Sequence, residues 1–368
     1  MSIRIPTNDS PRTARTRATY RDIELYAPDR RPAPIDLSDN TNRWGVPPAA
    51  LRALRATPEV DTARYPSLYA AALKRALCNY VGADPSMMVT GCGSDDVLDS
   101  AIRAFGEPGE CVAMAEPSFP MIPLFARMNG LEFRPTPLTA SYDVDVDDLL
   151  AGDPAIVYLC SPNNPTGTVI PRSTIDTIIS RARGVVIVDE AYVEFSTESV
   201  VDLIGRAPRL LVVRTLSKAF GLAGLRIGYA IGAPALVAEV EKSRGPYKVS
   251  AVAECAAVAA LTEDLEWVRA RIADAAAARV TLSTALLDRG LDPLPSASNF
   301  VLAPVKNAVA IALCMRDLGV AVRAFDDLRV VSSALRDSGG SALRISVGPR
   351  PEIEAALAAL DQARSECV

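Results

Sequence analysis

From about residue 61 to residue 260, short apolar runs alternate with stretches of helical periodicity, and few folds accept that pattern. The runs at 87–90, 111–115, 156–160, 185–188, 210–213 and 227–231 are almost continuously apolar. A strand with one face in water would alternate polar with apolar residues. These do not, so each must be covered on both faces. Such strands, separated by helices, predict an α/β fold whose large lobe is a mostly parallel sheet sandwiched by helices. At 368 residues the chain is also longer than one core usually supports. After Leu261 the pattern changes: a long Ala-rich helical stretch reaches Leu287, and short strands follow near 300–303, 320–323 and 343–347, predicting a smaller α+β lobe. The expected organisation is a flexible tail over 1–25 and an Asp-, Asn- and Pro-rich arm over 26–50 that contributes to the small lobe and the site. A large ligand-binding lobe over 51–262 and a small lobe over 263–368 complete it.

Composition narrows the chemistry. The chain has no histidine, which removes Ser-His-Asp triads, Cys-His dyads and imidazole metal ligands at once. Acid–base work falls to Lys, Asp, Glu, Tyr or Cys, and no metal site is expected. Seven cysteines are scattered without a CxxC pair, as in reduced core positions of a cytoplasmic protein. A net charge of -5 without basic clusters points away from nucleic acid and anionic membranes. No run of about 18 apolar residues is present to span a bilayer. The first 25 residues hold Arg4, Arg12, Arg15, Arg17 and Arg21 but no apolar stretch, so no secretory signal is expected. A flexible tail is the simpler reading there, a transit peptide the alternative.

In an open parallel sheet, ligands bind beyond the carboxyl ends of the strands, so the residues just past each run carry the functional information. The first run ends in Gly91-Cys92-Gly93-Ser94-Asp95-Asp96 and opens a helix. The free N–H groups of such a helix start make an anion site, although a plain capped helix with first-turn acids reads the same way. After the second run Phe119 offers a ring for stacking, or a plug for its own loop. The third ends in Ser161-Pro162-Asn163-Asn164-Pro165-Thr166-Gly167, where turn chemistry explains Pro165 and Gly167 but does not require both amides. The fourth delivers Asp189 and then Tyr192. A carboxylate leaving so apolar a strand needs a cation or several donors, which a protonated heteroaromatic nitrogen or an ordinary salt bridge would supply. The fifth leads to Thr215, Ser217 and Lys218, with Arg226 eight residues on. Desolvation lowers the pKa of such a lysine and exposes an amine suited to a Schiff base, and Arg226 supplies a fork for a phosphate.

These motifs resemble those of fold type I pyridoxal phosphate-dependent aminotransferases of class I/II, most closely the histidinol-phosphate aminotransferase branch. The carrying segments are DNTNRWG (39–45), RYPSLYA (64–70), VTGCGSDDVLD (89–99), CSPNNPTGT (160–168), VDEAYVEF (188–195), RTLSKAFGLAGLRIGY (214–229) and LRISVG (343–348). The resemblance implies pyridoxal 5′-phosphate as cofactor, attached at Lys218, with Asp189 on the pyridine nitrogen and Asn164 and Tyr192 on the ring oxygen. It implies Phe119 on the ring face, and Gly93, Ser94, Asp95, Thr215, Ser217 and Arg226 around the phosphate. Tyr65 would reach the phosphate of a neighbouring subunit, making a homodimer with shared sites. Tyr26, Asn42, Tyr247, Arg323 and Arg344 are implied at the substrate, although Arg323 could also merely cap its strand.

The resemblance further implies transfer of an amino group between a small-molecule donor and a 2-oxo acid, 2-oxoglutarate or glutamate being one partner. An aromatic or specialised biosynthetic aminotransferase and an amino acid phosphate decarboxylase share these motifs. A silent ligand-sensing module is disfavoured by the retained Lys218. Two departures bear on the donor: Thr41 and Arg43 stand where the branch typically has Glu and Pro, and Lys248 replaces a more usual Asn or Pro. The loss of an acid and gain of two cations beside the pocket is expected to alter its wall.

Overall fold

The structure is a computed structural model describing residues 16–21, 23–25, 31–59 and 63–366. Its large sheet has seven strands in the order β2 (Met88–Cys92), β8 (Ile227–Gly232), β7 (Leu210–Thr215), β6 (Val185–Asp189), β5 (Ile156–Cys160), β3 (Cys111–Glu116) and β4 (Glu132–Pro137). Only β8 runs against its neighbours. Alternate residues of one strand enter different cores. Ile187, Leu211 and Val213 pack on one face of the sheet, while Val186, Val188, Leu210 and Val212 pack on the other. This two-sided burial is why the runs show no polar alternation, and each fully buried Leu or Ile contributes roughly 1.5–3 kcal/mol.

Sequence reasoning misses β4. Its residues, Glu-Phe-Arg-Pro-Thr-Pro, form no apolar run, and Pro135 and Pro137 argue against a strand. The strand lies at the sheet edge, where a missing N–H is tolerated.

The small lobe holds an antiparallel sheet of β11 (Arg323–Phe325), β12 (Ala342–Ser346) and β9 (Phe300–Pro304). The single strand expected over 320–323 is two. β10 (Val320–Ala321) pairs in parallel with β1 (Ile35–Asp36) of the arm, and the chain then turns at Val322 so that Arg323 joins β12. Leu37 packs with Val301, Leu343, Ile345 and Leu360, so the arm is part of the small-lobe core.

Two helices, Ala251–Glu263 and Leu265–Leu287, join the lobes. The break falls at Asp264, whose carboxylate accepts bonds from the backbone N–H groups of Ala49 (2.7 Å) and Ala50 (3.2 Å) and so caps the helix Pro48–Arg55. Along the second helix Val268 belongs to the large-lobe core and Ala275, Leu282 and Leu286 to the small-lobe core. Among the described residues, no helix is long and apolar enough to cross a membrane.

Candidate active site

A cavity of about 500 Å³ opens at the carboxyl ends of β5, β6 and β7, closed on the far side by the arm and the small-lobe sheet. Its first corner is an anion cradle. The helix Gly93–Phe105 begins at the end of β2, with Ser94 and Asp95 facing the cavity. Gly93 has φ +83, and a Cβ there would fall 2.4 Å from Nη2 of Arg226, so only glycine lets the guanidinium lie on the helix start. Arg226 Nη1 also reaches the Ser217 hydroxyl at 3.4 Å, and Thr215 and Ser217 place hydroxyls 2.9 Å apart. A helix N-terminus, two hydroxyls and a forked cation match a dianionic phosphate.

The second corner suits a flat cationic ring. Asp189 leaves β6 almost wholly buried, and burial pushes its carboxyl up to about 6. Two bonds oppose the shift: Tyr158 Oη donates to Oδ2 at 2.8 Å and the Ala191 N–H to Oδ1 at 3.0 Å. Among the described residues no Lys or Arg bridges to it, so the salt-bridge alternative is not realised and a protonated ring nitrogen would satisfy it. Phe119 lines the same wall. Tyr158 is missed by sequence reasoning, although a tyrosine within Ile-Val-Tyr-Leu-Cys is the available signal.

Lys218 lies between the corners. Burial, then the Arg344 cation, lower its amine to about 8 against the pull of Asp95. Its Nζ donates to the carbonyl of Asp39 at 3.0 Å and sits 5.6 Å from the Tyr192 ring centre. The Tyr192 hydroxyl accepts from Asn40 Nδ2 at 3.0 Å. The paired amides divide their work. Asn163 ties its loop together through Pro117, Ser118 and Thr166, while Asn164 faces the cavity and accepts from Arg344 Nη1 at 2.5 Å.

Opposite these groups, Arg323 and Arg344 are register partners on β11 and β12, and both line the cavity. Each lies against the ring of Phe325, at 6.0 and 5.9 Å, and Arg344 Nη2 donates to the Ser38 carbonyl at 2.7 Å. Two stacked guanidiniums form a wall for a carboxylate or phosphate.

Not every expected residue faces the cavity. Asn42 donates from Nδ2 to the Ala219 carbonyl at 2.9 Å, because the left-handed turn at Asn40 (φ 55) presents Asn40 and Thr41 instead. Tyr247 stacks on Tyr65 with ring centres 5.0 Å apart at the surface, where Tyr65 is 85% exposed. Tyr26 lies outside the described residues. Neither cation gained beside the pocket enters it: Arg43 pairs with Glu352 and Lys248 with Asp96, each at 2.8 Å. Met121 and Phe325 also line the cavity, and no local motif marks them; Asp39, which opens the DNTNRWG segment, lines it too.

Comparison with known proteins decides the family. Residues 32–360 match the model of the aminotransferase class I and II family. The chain belongs to that family. It is accordingly a pyridoxal 5′-phosphate-dependent aminotransferase of fold type I. Curated relatives include histidinol-phosphate aminotransferase 1 of Methylococcus capsulatus, 33% identical over 94% of this chain and 96% of the relative. The histidinol-phosphate aminotransferase of Thermobifida fusca is 38% identical over 77% of this chain and 81% of its own. Among solved structures, histidinol-phosphate aminotransferase from Sinorhizobium meliloti in complex with pyridoxal-5′-phosphate superposes with a TM-score of 0.84 at 25% identity, covering 96% of this chain and 99% of that one.

Proposed function

We propose that this aminotransferase moves an amino group between a phosphorylated donor, histidinol phosphate or a close relative, and 2-oxoglutarate, in amino acid biosynthesis. The observation that carries the donor class is the pair Arg323 and Arg344, side by side in register across the cavity from Lys218. A tail phosphate brings two charges to two guanidiniums, and the 2-oxo acid's second carboxylate can use the same wall. The relatives' names support the same choice.

Pyridoxal 5′-phosphate supplies, when bound, a ring that withdraws electrons from the donor's Cα and makes its proton acidic. The residues of this chain do the rest. Gly93, Ser94, Thr215, Ser217 and Arg226 hold the phosphate. Asp189 keeps a ring nitrogen protonated, Asn164 and Tyr192 orient the ring oxygen, and Phe119 covers a face. Lys218 would anchor the group and, once released from it by the donor amine, would take up the Cα proton and give it up again. Its pKa near 8 suits both duties close to neutrality.

The chain is read as a cytoplasmic homodimer divided into lobes at 51–262 and 263–368. Exposed Tyr65, Leu68, Tyr69 and Tyr247 form the patch that would meet the second copy, with Tyr65 serving the other subunit's cradle. The test is a panel of donors with 2-oxoglutarate, scored as kcat/KM. Histidinol phosphate should exceed phenylalanine and histidinol by tenfold or more. Preference for phenylalanine would replace the phosphorylated donor by an aromatic one, and CO2 release without a keto acid product would indicate a decarboxylase.

A further inference from the structure

Consecutive arm residues grip opposite lobes. Asn42 donates to the carbonyl of Ala219, the residue after Lys218, at 2.9 Å. Arg43 reaches the other way, donating from Nε and Nη2 to the two carboxylate oxygens of Glu352, both at 2.8 Å, at the start of the small-lobe helix Arg350–Glu366. The contact is a planar fork and not a grazing surface pair, since each side chain keeps less than a quarter of its exposure. Gly348 makes room for it. A Cβ there would lie 2.7 Å from Glu352 Oε2 and 3.2 Å from the Arg43 Cβ.

Upstream of this grip the arm touches the reacting groups. The Asp39 carbonyl takes the Lys218 Nζ bond and Asn40 donates to Tyr192. Asn40 is itself held by Ser346 and by Asn299 from the small lobe. The stretch from 39 to 43 therefore links the small lobe to the lysine, and the fork, with Trp44 packed on the small-lobe core beside it, fastens its end before the chain leaves for the helix Pro48–Arg55.

We propose that Arg43 and Glu352 are a positioning pair for the reaction, holding the arm so that Asp39 and Asn40 orient Lys218 and Tyr192. The proposal rests on the roles given above to those two residues. In a half-buried fork of this kind the charges remain open to salt, so the effect should be screened in high salt.

The experiment compares holoenzyme carrying Arg43→Glu, Glu352→Arg and both together. Each single variant should lose about tenfold in kcat with KM for the donor changed by less than about twofold. The absorbance band of the cofactor–lysine linkage should titrate at a pH moved by about half a unit from wild type, because Tyr192, which orients the ring oxygen beside that linkage, loses the Asn40 bond that fixes it. The double variant should recover most of both losses. In 1 M salt the wild type should fall toward the single variants. Wild-type kcat and titration in both single variants would overturn the proposal. So would a double variant as impaired as the singles, or losses that follow only the unfolded fraction measured by thermal melting. Failure of the underlying reading is separate: it would appear as a wild-type protein lacking the linkage band, or keeping it in Lys218→Ala.

Discussion

The two walls of the cavity are built on different plans. The cofactor wall stands on the ends of adjacent buried strands, and each of its groups leaves the sheet within a few residues of an apolar run: Asn164 after β5, Asp189 and Tyr192 after β6, Lys218 after β7. The substrate wall is assembled from afar. Arg344 reaches Ser38 across 306 positions of sequence, and Asn40 meets Ser346 across as many. The first wall inherits its rigidity from a core that exists for other reasons. The second is held by its own hydrogen bonds. Substitutions on the cofactor wall should therefore act on chemistry and leave the fold intact, while those on the substrate wall should act on selectivity and on the joint between the lobes.

The largest expected effect is on the cofactor wall. Lys218→Ala removes anchor and base together, so kcat should fall by about 10⁴-fold or more, whereas the untouched phosphate cradle should still retain the cofactor on a desalting column. Near-normal turnover in that variant would make the strand-end lysine a bystander. Asp189→Asn should come next, with a loss of about 10²–10³ in the proton-abstraction step, the scale of one lost preorganised charge. Tyr158→Phe tests the same carboxylate from behind and should cost less, about fivefold, because the Ala191 N–H still holds Asp189. A primary isotope effect at Cα read in single turnovers separates this step from product release.

This contrast also explains what the sequence reveals. The parallel sheet and the cofactor wall are legible because a strand covered on both faces writes its position as an unbroken apolar run, and the residues just beyond its end land at the ligand. β4 escapes because an edge strand need not be apolar and can carry Pro135 and Pro137. Asp39 escapes because its contribution is a backbone carbonyl, which any residue could provide. Motif alone places Asn42 at the substrate, while the left-handed backbone at Asn40 turns it toward Ala219. Arg43 and Lys248 look like new pocket charges because their partners, Glu352 and Asp96, are not near them in sequence.

On the substrate wall the expected effect is selective. Arg323→Ala should lower kcat/KM for histidinol phosphate by tenfold or more, the worth of one charge-assisted bond of roughly 1.5–3 kcal/mol, and leave unphosphorylated histidinol nearly unchanged. Arg344→Ala should harm both donors, since that guanidinium also holds Asn164 and Ser38 in place. Equal losses with both donors in both variants would make the two arginines structural.

The smallest effect separates the walls by pH in the cofactor-free protein. Lys218 has its pKa lowered from 10.5 to about 8, so the folded state binds fewer protons than the unfolded one between those values, and stability should rise with pH there. Asp189 has its pKa raised from 3.8 to about 6, so the folded state holds more protons in that interval, and stability should fall as pH rises through it. Together they predict a minimum between about pH 6 and 8, where both groups are charged. Lys218→Met should flatten its alkaline side and Asp189→Asn its acid side. Asn40→Ala, which breaks the neutral bond to Tyr192, should lower the whole curve evenly. Chemical denaturation from pH 4 to pH 10 reads all three. If Asn40→Ala reshaped the curve, or the two charge variants merely displaced it, the walls would not differ in the way their construction implies.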